Sequence, residues 1–337
     1  MNLKFNDTLD DLRNKPKAWL ITGVAGFIGS NILEFLLINN QKVVGLDNFS
    51  TGHKNNLERV KNITQEKWKN FSFREGSICD LKTCKEVSQN IDYILHQGAL
   101  GSVPRSIEDP ISSNNSNISG FLNMLVAAKD NDVKKFVYAA SSSTYGDHKD
   151  LPKVEHIIGN PLSPYAVTKF ANELYGQVFA SSYNFNSVGL RYFNVFGKRQ
   201  DPNGAYAAVI PRWIDAMINK KDIEIFGDGE TTRDFCYIDN VVEANILAAL
   251  SDLRSHEVFN IAIGEQTSLN ELLNQIAKAL SQKGISNDSK VIYKDFRSGD
   301  VRHSLANISK AKQLLGYEPK IHANDGIVRT VDWFLNK

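Results

Sequence analysis

Short apolar runs alternate with helix-like stretches along the first half of the chain. The runs are rich in β-branched residues, and the stretches between them repeat apolar residues at helical spacing. This alternation is typical of βαβ units that build a parallel sheet. The predicted strands are 18–21, 42–46, 71–74, 92–96, 135–140 and 187–192, and the predicted helices are 28–38, 120–128 and 165–181.

From about Gly197 the pattern becomes less regular. Loop-rich segments separate shorter elements there, with loops at 199–204 and 227–233 and amphipathic helices predicted near 240–250 and 268–279. We therefore predict an α/β fold with a Rossmann-type, doubly wound parallel sheet. It spans residues 1–197, begins with a short helix within 1–17, and is followed by a smaller mixed α/β lobe over 198–337. We expect the boundary between the two parts to be discontinuous.

The composition is that of an ordinary folded protein, with 42% hydrophobic and 23% charged residues. Lys and Arg number 39 against 38 Asp and Glu, so the net charge of +1 does not favour nucleic acid or an anionic membrane as a partner. The apolar runs are far shorter than the ~20 residues of a membrane span, and residues 1–17 lack the apolar core of a signal peptide. Cys79, Cys84 and Cys236 are too few and too scattered for a disulfide framework or a zinc site, so we expect no metal and a reducing, cytoplasmic location.

A glycine-rich turn joins the first predicted strand to the first long helix. It reads Gly23-Val24-Ala25-Gly26-Phe27-Ile28-Gly29. Glycines let the backbone turn tightly and approach a pyrophosphate, and a helix N-terminus offers free N–H groups to it. We therefore predict that Gly23, Gly26, Phe27, Ile28 and Gly29 bind a dinucleotide. The alternative is a packing turn in some other α/β protein.

The second strand ends in Asp47, whose carboxylate is placed to bond the ribose diol of NAD. No Arg or Lys follows before Lys54, and a 2′-phosphate would be repelled, so NAD is favoured over NADP. The alternative is that Asp47 only caps a loop. Asp80 and Leu81, which follow the strand at 71–74, are predicted to flank the adenine.

Tyr165 and Lys169 have the i, i+4 spacing that places two side chains on one helix face. A tyrosine that acts as a base near neutrality needs its pKa lowered from ~10 to ~7, about 4 kcal/mol. A fixed ammonium and a positive nicotinamide ring together suit that task. The pair alone is common on surface helices, but here Ser141, Ser142 and Ser143 follow the strand at 135–140, where ligands of open α/β sheets bind.

Taken together these motifs resemble the extended short-chain dehydrogenase/reductase family over nearly the whole chain. They are the T-G-x-x-G-F-I-G turn, the serine run that ends in Tyr-Gly, P-Y-x-x-x-K, and R-Y-F-N-V-F-G at 191–197. Within that family the chain is most similar to UDP-sugar 4-epimerases. The stretch 96–107 is similar to the bacterial UDP-N-acetylglucosamine 4-epimerase group of polysaccharide biosynthesis.

The resemblance implies a role for each matching residue. Tyr165 is the base, Lys169 orients the nicotinamide ribose, and Ser141 relays the proton of the sugar 4-hydroxyl, with Ser142 and Ser143 as competitors. The implied cofactor contacts also include Asn48, Gln97, Asn117 and Val195. The implied substrate contacts are Ser102, Arg105, Asn194, Val209, Arg233, Arg297, Asp300 and Ser304. Of these, Arg233 and Arg297 grip the diphosphate, as the planar guanidinium fork allows, and Asp300 binds the uridine ribose.

The resemblance also helps to choose among reactions. Family dehydratases and decarboxylases carry an acid after the small hydroxyl, whereas residues 142–144 contain none, so 4-epimerisation through a transient 4-keto sugar is favoured. Ser304 matches a position where a tyrosine restricts the pocket to plain hexoses, so room for a 2-acetamido group predicts UDP-GlcNAc and UDP-GalNAc as substrates.

Several alternatives stay open at this point. Arg105 is also placed to sense a uronic carboxylate, so a UDP-hexosaminuronic acid or a UDP-glucose/galactose epimerase is the nearest alternative. Rivals from other classes are a sugar-nucleotide dehydrogenase and a non-catalytic NAD-binding regulator. The family implies a homodimer joined through the helices at 121–129 and 165–181.

Overall fold

The computed structural model describes residues 5–204, 207–296 and 301–336. The helices are α1 (Phe5–Asn14), α2 (Phe27–Ile38), α3 (Lys54–Thr64), α4 (Leu81–Val87), α5 (Val103–Glu108), α6 (Pro110–Asn114), α7 (Gly120–Asp130), α8 (Pro164–Tyr183), α9 (Val209–Ile218), α10 (Ile238–Leu250), α11 (Leu269–Ser281), α12 (Ser309–Leu315) and α13 (Ala323–Leu335). The strands are β1 (Ala18–Thr22), β2 (Lys42–Asp47), β3 (Phe71–Glu75), β4 (Tyr93–His96), β5 (Lys135–Ser141), β6 (Ser187–Tyr192), β7 (Val195–Phe196), β8 (Ile223–Phe226), β9 (Thr232–Arg233), β10 (Cys236–Tyr237), β11 (Glu257–Ile261), β12 (Thr267–Ser268) and β13 (Val291–Lys294).

Seven of these strands form one parallel sheet in the order β11-β6-β5-β4-β1-β2-β3. The strand order reverses between β1 and β4, where Thr22 lies opposite His96 at the carboxyl ends. In open α/β sheets this switch point creates the crevice in which ligands bind. The predicted α/β Rossmann fold is confirmed.

Both faces of the central strands are covered by helices, as is usual for parallel sheets. Side chains alternate across a strand, so in β1 Trp19 and Ile21 pack into one apolar core and Leu20 packs into the other. The first core also contains α2 and α10, and the second contains α7. Strand β6 is buried along its whole length.

The chain returns to this sheet after Gly197. Strand β11 pairs with β6, with Phe259 opposite Leu190. Helix α10 was predicted to be amphipathic, and this was wrong: nearly all of its residues are buried. The reason is that α10 packs against α2 and the central strands on one side and against β10 and α12 on another, so it has no broad solvent face.

The remaining short strands pair among themselves in the second part of the chain. Strand β8 pairs with β13, β9 pairs with β12, and β10 pairs with β7. The division of the chain between residues 197 and 198 stays a prediction. Beyond it, β11 still belongs to the large sheet and α10 packs against that sheet. Within the described residues, no helix is both long and apolar enough to cross a membrane.

Candidate active site

The glycine turn after β1 is packed too closely for side chains. Gly23 has a φ of +67°, and a Cβ on it would lie 2.9 Å from the Cα of Gly98. A Cβ on Gly29 would lie 2.1 Å from the carbonyl oxygen of Gly23. Helix α2 therefore begins directly against the turn, and its first N–H groups face the crevice, where an anionic group is favoured.

A cleft of about 680 Å³ opens above this turn. It is walled by the loops that follow four neighbouring strands, all at the carboxyl edge of the sheet. The predicted cofactor residues that line it are Gly23, Gly26, Phe27, Ile28, Gly29, Asp47, Asn48 and Gln97.

Asp47 both organises a loop and lines the cleft. Its carboxylate accepts hydrogen bonds from the backbone N–H of Ala25 at 2.9 Å and of Phe49 at 2.8 Å. Burial raises the pKa of Asp47 above its ordinary value, while the N–H groups of Phe49 and Ala25 act in the opposite direction. The two interpretations of Asp47 from the sequence are thus compatible, because a carboxylate has lone pairs enough for both roles.

Tyr165 and Lys169 lie in the first turns of α8. The helix begins at Ser163, whose hydroxyl accepts a hydrogen bond from Ala166, and Pro164 occupies its first turn. The ammonium of Lys169 lies 5.8 Å from the centre of the Tyr165 ring and donates to the carbonyl of Ala139 at 2.7 Å. Burial lowers the pKa of Lys169 to about 8.

The serine run is folded so that Ser141 meets Tyr165. Ser141 ends β5, and its hydroxyl accepts hydrogen bonds from the backbone N–H and the hydroxyl of Ser143. Burial raises the pKa of Tyr165, and a hydrogen bond with Ser141 partly offsets this. Ser142 and Ser143 line the same cavity, so all three serines are near the site, and Ser141 is the one that acts on the pKa of Tyr165.

Two further cavities continue from the cofactor cleft, and Ser102 lines all three. One, of about 580 Å³, is lined by Asn194, Val209 and Arg233. The other, of about 480 Å³, contains Tyr165, the three serines and Ser304, together with Asn194 and Arg233. The arrangement suits an elongated ligand that carries its reactive end to Tyr165.

Comparison with known proteins agrees with this geometry. The model of the NAD dependent epimerase/dehydratase family matches residues 19–262. The chain belongs to this family. It is 37% identical to a putative UDP-glucose 4-epimerase of Methanocaldococcus jannaschii over 94% of this chain and 98% of that one. It is 36% identical to a UDP-glucuronate 4-epimerase of Thermodesulfobacterium geofontis over 94% and 95%.

Among solved structures, a UDP-N-acetylglucosamine 4-epimerase of Methanobrevibacter ruminantium in complex with UDP-N-acetylmuramic acid superposes with a TM-score of 0.88. It shares 37% identity over 96% of this chain and 99% of that one. The family prediction is confirmed. As a member of the NAD dependent epimerase/dehydratase family, the protein uses NAD, and the side-chain-free turn beside Asp47 fits that cofactor.

Other residues that were predicted to bind the cofactor do not line the cofactor cleft. Asp80 and Leu81 do not line the cleft: Asp80 caps α4 by accepting from the backbone N–H of Lys82 and Thr83, and Ile78 and Cys79 line the cleft instead. The carboxylate of Asp80 bonds the N–H groups at the N-terminus of α4, because these groups have no partner within the helix.

Asn117 and Val195 also lie outside the lining of the cofactor cleft, and their predicted contacts with NAD stay predictions. Asn117 is buried beneath the cleft, where its amide accepts from the backbone N–H of Leu100 and donates to the carbonyl of the same residue. It shapes the loop that lines the cleft. Val195 lines the 580 Å³ cavity with Asn194. Arg105, predicted to reach the sugar, lines the cofactor cleft.

Arg297 and Asp300 lie outside the described residues. No sequence motif marks three further side chains that the fold brings to the site. Lys153 and Tyr192 line the cavity of Tyr165, and Asn245 lies beneath it. Asn245 accepts from the side-chain amide of Gln97 at 3.0 Å, a contact between residues 148 positions apart that no local pattern reveals.

Proposed function

We propose that the protein interconverts UDP-N-acetylglucosamine and UDP-N-acetylgalactosamine by inverting carbon 4 of the sugar. Its enzyme class is that of the curated relatives, an NAD-dependent UDP-sugar 4-epimerase. The observation that carries the proposal is that Tyr165, Ser141 and Ser304 line one cavity.

The side chains support a proton relay to one oxygen of the sugar. Ser141 passes the proton of the 4-hydroxyl to Tyr165, and the Lys169 ammonium favours the phenolate by its charge. NAD, which the glycine turn and Asp47 would hold in the cleft, would supply the acceptor for the hydride of carbon 4. Tyr165 then gives the proton back to the 4-keto sugar, whose other face is presented after the ring has turned.

The described lining of the cavity lacks a carboxylate that could assist the elimination of water or carbon dioxide. Among the described residues that line it, none is an Asp or Glu. Dehydration of a 4-keto sugar requires a further acid or base. Thr144, which stands close to where family dehydratases carry an acid, uses its hydroxyl to donate to the carbonyl of Ser141. Epimerisation requires only the groups already present.

One feature supports an acetamido sugar. Ser304 contributes a small side chain to the cavity wall, which leaves more room beside the sugar than a bulky ring would.

The relatives supply the alternatives. Those named above act on UDP-glucose, UDP-glucuronate and UDP-N-acetylglucosamine by their names, so UDP-glucose and UDP-uronates are the competing substrates. The cytoplasmic location and the role in polysaccharide biosynthesis stay predictions.

The decisive experiment offers UDP-glucose, UDP-N-acetylglucosamine and the corresponding uronic acid separately, without added NAD, and resolves the products. We expect the C4 epimer of UDP-N-acetylglucosamine to form fastest, with no net accumulation of reduced cofactor. Stoichiometric reduced cofactor would instead identify a dehydrogenase. Tyr165→Phe should lose turnover and retain NAD, whereas unchanged turnover would remove Tyr165 from the mechanism.

We also propose a homodimer. Helix α8 exposes Val167, Leu174 and Val178, each about half exposed, beside Ile107 and Ile111 at 64% and 72%. The three α8 residues share one face by their spacing, and such a patch is typical of a protein interface. Leu174→Glu should yield a monomer in light scattering, whereas Ile63→Glu, at a similarly exposed site on α3, should not.

A further inference from the structure

Lys153 lies in the sugar cavity although no sequence motif marks it. Its backbone N–H donates to the carbonyl of Leu305 at 2.7 Å, and its carbonyl accepts from Asn307 at 2.9 Å. This short bridge ties the segment after the serine run to the segment that carries Ser304. Lys153 therefore reaches the same cavity as Tyr165 and Ser304.

The ammonium of Lys153 is buried and donates to a backbone carbonyl. The residue is 3% exposed, and its ammonium donates to the carbonyl of His148. Among the ion pairs of the described residues, none includes Lys153, although Asp150 acts on it from a distance. An ammonium has three donors, so one hydrogen bond leaves two of them unused.

Burying an ammonium without a counter-charge is costly, and burial lowers the pKa of Lys153 accordingly. Proteins retain a buried ammonium of this kind mostly at functional sites, where a ligand supplies the opposite charge. The chain supplies no acid to this cavity within the described residues, as noted above. Since no described residue forms an ion pair with Lys153, a negatively charged group on a ligand would complete it.

We propose that Lys153 binds a carboxylate carried by the sugar of the substrate, and so makes the enzyme accept acidic UDP-N-acetylhexosamines. This rests on the proposed function, whose site it shares. Hydrogen bonds between charged partners are stronger than those to neutral hydroxyls, so the charge of Lys153 should strengthen the binding of an acidic sugar and contribute little to that of the neutral one. The carboxylate has two possible sources, carbon 6 of a uronic acid or a lactyl ether on carbon 3.

The test measures binding apart from turnover. Two NAD-loaded proteins are compared, the Tyr165→Phe variant and the same variant that also carries Lys153→Gln. Each is titrated with UDP-N-acetylglucosamine, UDP-N-acetylglucosaminuronic acid and UDP-N-acetylmuramic acid. Gln keeps an N–H donor for the His148 carbonyl and removes the charge. We expect Kd for at least one acidic sugar to rise about tenfold or more, and Kd for the neutral sugar to change less than about twofold. The acidic sugar affected identifies the source.

Lys149→Gln is the matched control, since Lys149 is an exposed lysine of the same loop. It should leave all three Kd values unchanged. Equal weakening of all three sugars by Lys153→Gln, or no change, would overturn the proposal and assign Lys153 a structural role. Turnover by the protein with Tyr165 intact is measured in parallel: if no sugar is epimerised while the charge-dependent binding persists, the proposed function fails and the role of Lys153 stands.

Discussion

The side-chain amide of Asn245 donates a 2.8 Å hydrogen bond to the hydroxyl of Tyr192. That hydroxyl donates in turn to the side-chain oxygen of Gln97 at 3.1 Å, and Gln97 returns a bond to Asn245. The ring of three bonds joins the cofactor cleft, which Gln97 lines, to the cavity of Tyr165, which Tyr192 lines.

A double-mutant cycle should detect this ring. Asn245→Ala and Tyr192→Phe should each destabilise the fold by about 1–3 kcal/mol, because each leaves buried partners unpaired. Together they should show a coupling energy of about 0.5–3 kcal/mol in urea unfolding. Tyr293→Phe, whose hydroxyl bonds the exposed Asn270, should be additive with Asn245→Ala. If the effects of Asn245→Ala and Tyr192→Phe were additive, the coupling energy would be zero and the ring would not act as a unit.

The rate should fall in alkaline solution because of Lys169. Its pKa is lowered to about 8 by burial, and a cation with a lowered pKa loses its charge as the pH rises through that value. We expect kcat/KM to decline above about pH 8, because the phenolate loses its stabilising charge. Lys169→Arg, which stays protonated, should be slower but should lack this alkaline decline. An identical decline in both proteins would assign it to another group.

Ser304→Tyr should narrow the choice of sugar. A bulky ring in the cavity wall collides with a 2-acetamido group more than with a hydroxyl. We expect kcat/KM for UDP-N-acetylglucosamine to fall about tenfold or more relative to UDP-glucose, a range that pocket shape commonly controls. Ser304→Ala is the control and should leave the ratio near its original value. An unchanged ratio in Ser304→Tyr would remove Ser304 from the specificity argument.

Arg191 and Glu173 form a buried, two-pronged ion pair, with contacts of 2.8 and 2.7 Å. Glu173→Gln leaves the guanidinium without its counter-charge, so we expect a loss of about 3–5 kcal/mol in the free energy of unfolding. Asp332→Asn breaks the exposed pair with Lys283 and should cost about 1 kcal/mol or less. Similar losses from both changes would contradict the assigned importance of burial.

Gly29→Ala should release the cofactor. The added methyl meets the carbonyl oxygen of Gly23 at 2.1 Å, so α2 must move away from the turn. We expect the purified variant to contain little NAD, measured by absorbance after denaturation. Full NAD content in Gly29→Ala would show that the turn tolerates the shift.

Local patterns were enough to predict the sheet and the catalytic helix. Strands β2 and β6 were placed within one residue, because buried parallel strands are compact apolar runs. The surroundings of Asn117 and Asp80 were not predictable. A motif identifies the residue type, but it does not show that the side chain forms hydrogen bonds with nearby backbone groups. Lys153 was missed because its place depends on a bridge to Ala306, far along the chain.

The pairing of β11 with β6 also sets the order in which the molecule can be completed. During synthesis the ribosome makes the chain from the N-terminus, and the edge of the large sheet stays open until Ile261 has left the exit tunnel. Strand β6, which is buried along its whole length in the folded protein, stays without its neighbour while about 65 residues are added. A newly made chain therefore has its greatest need of a chaperone in that interval.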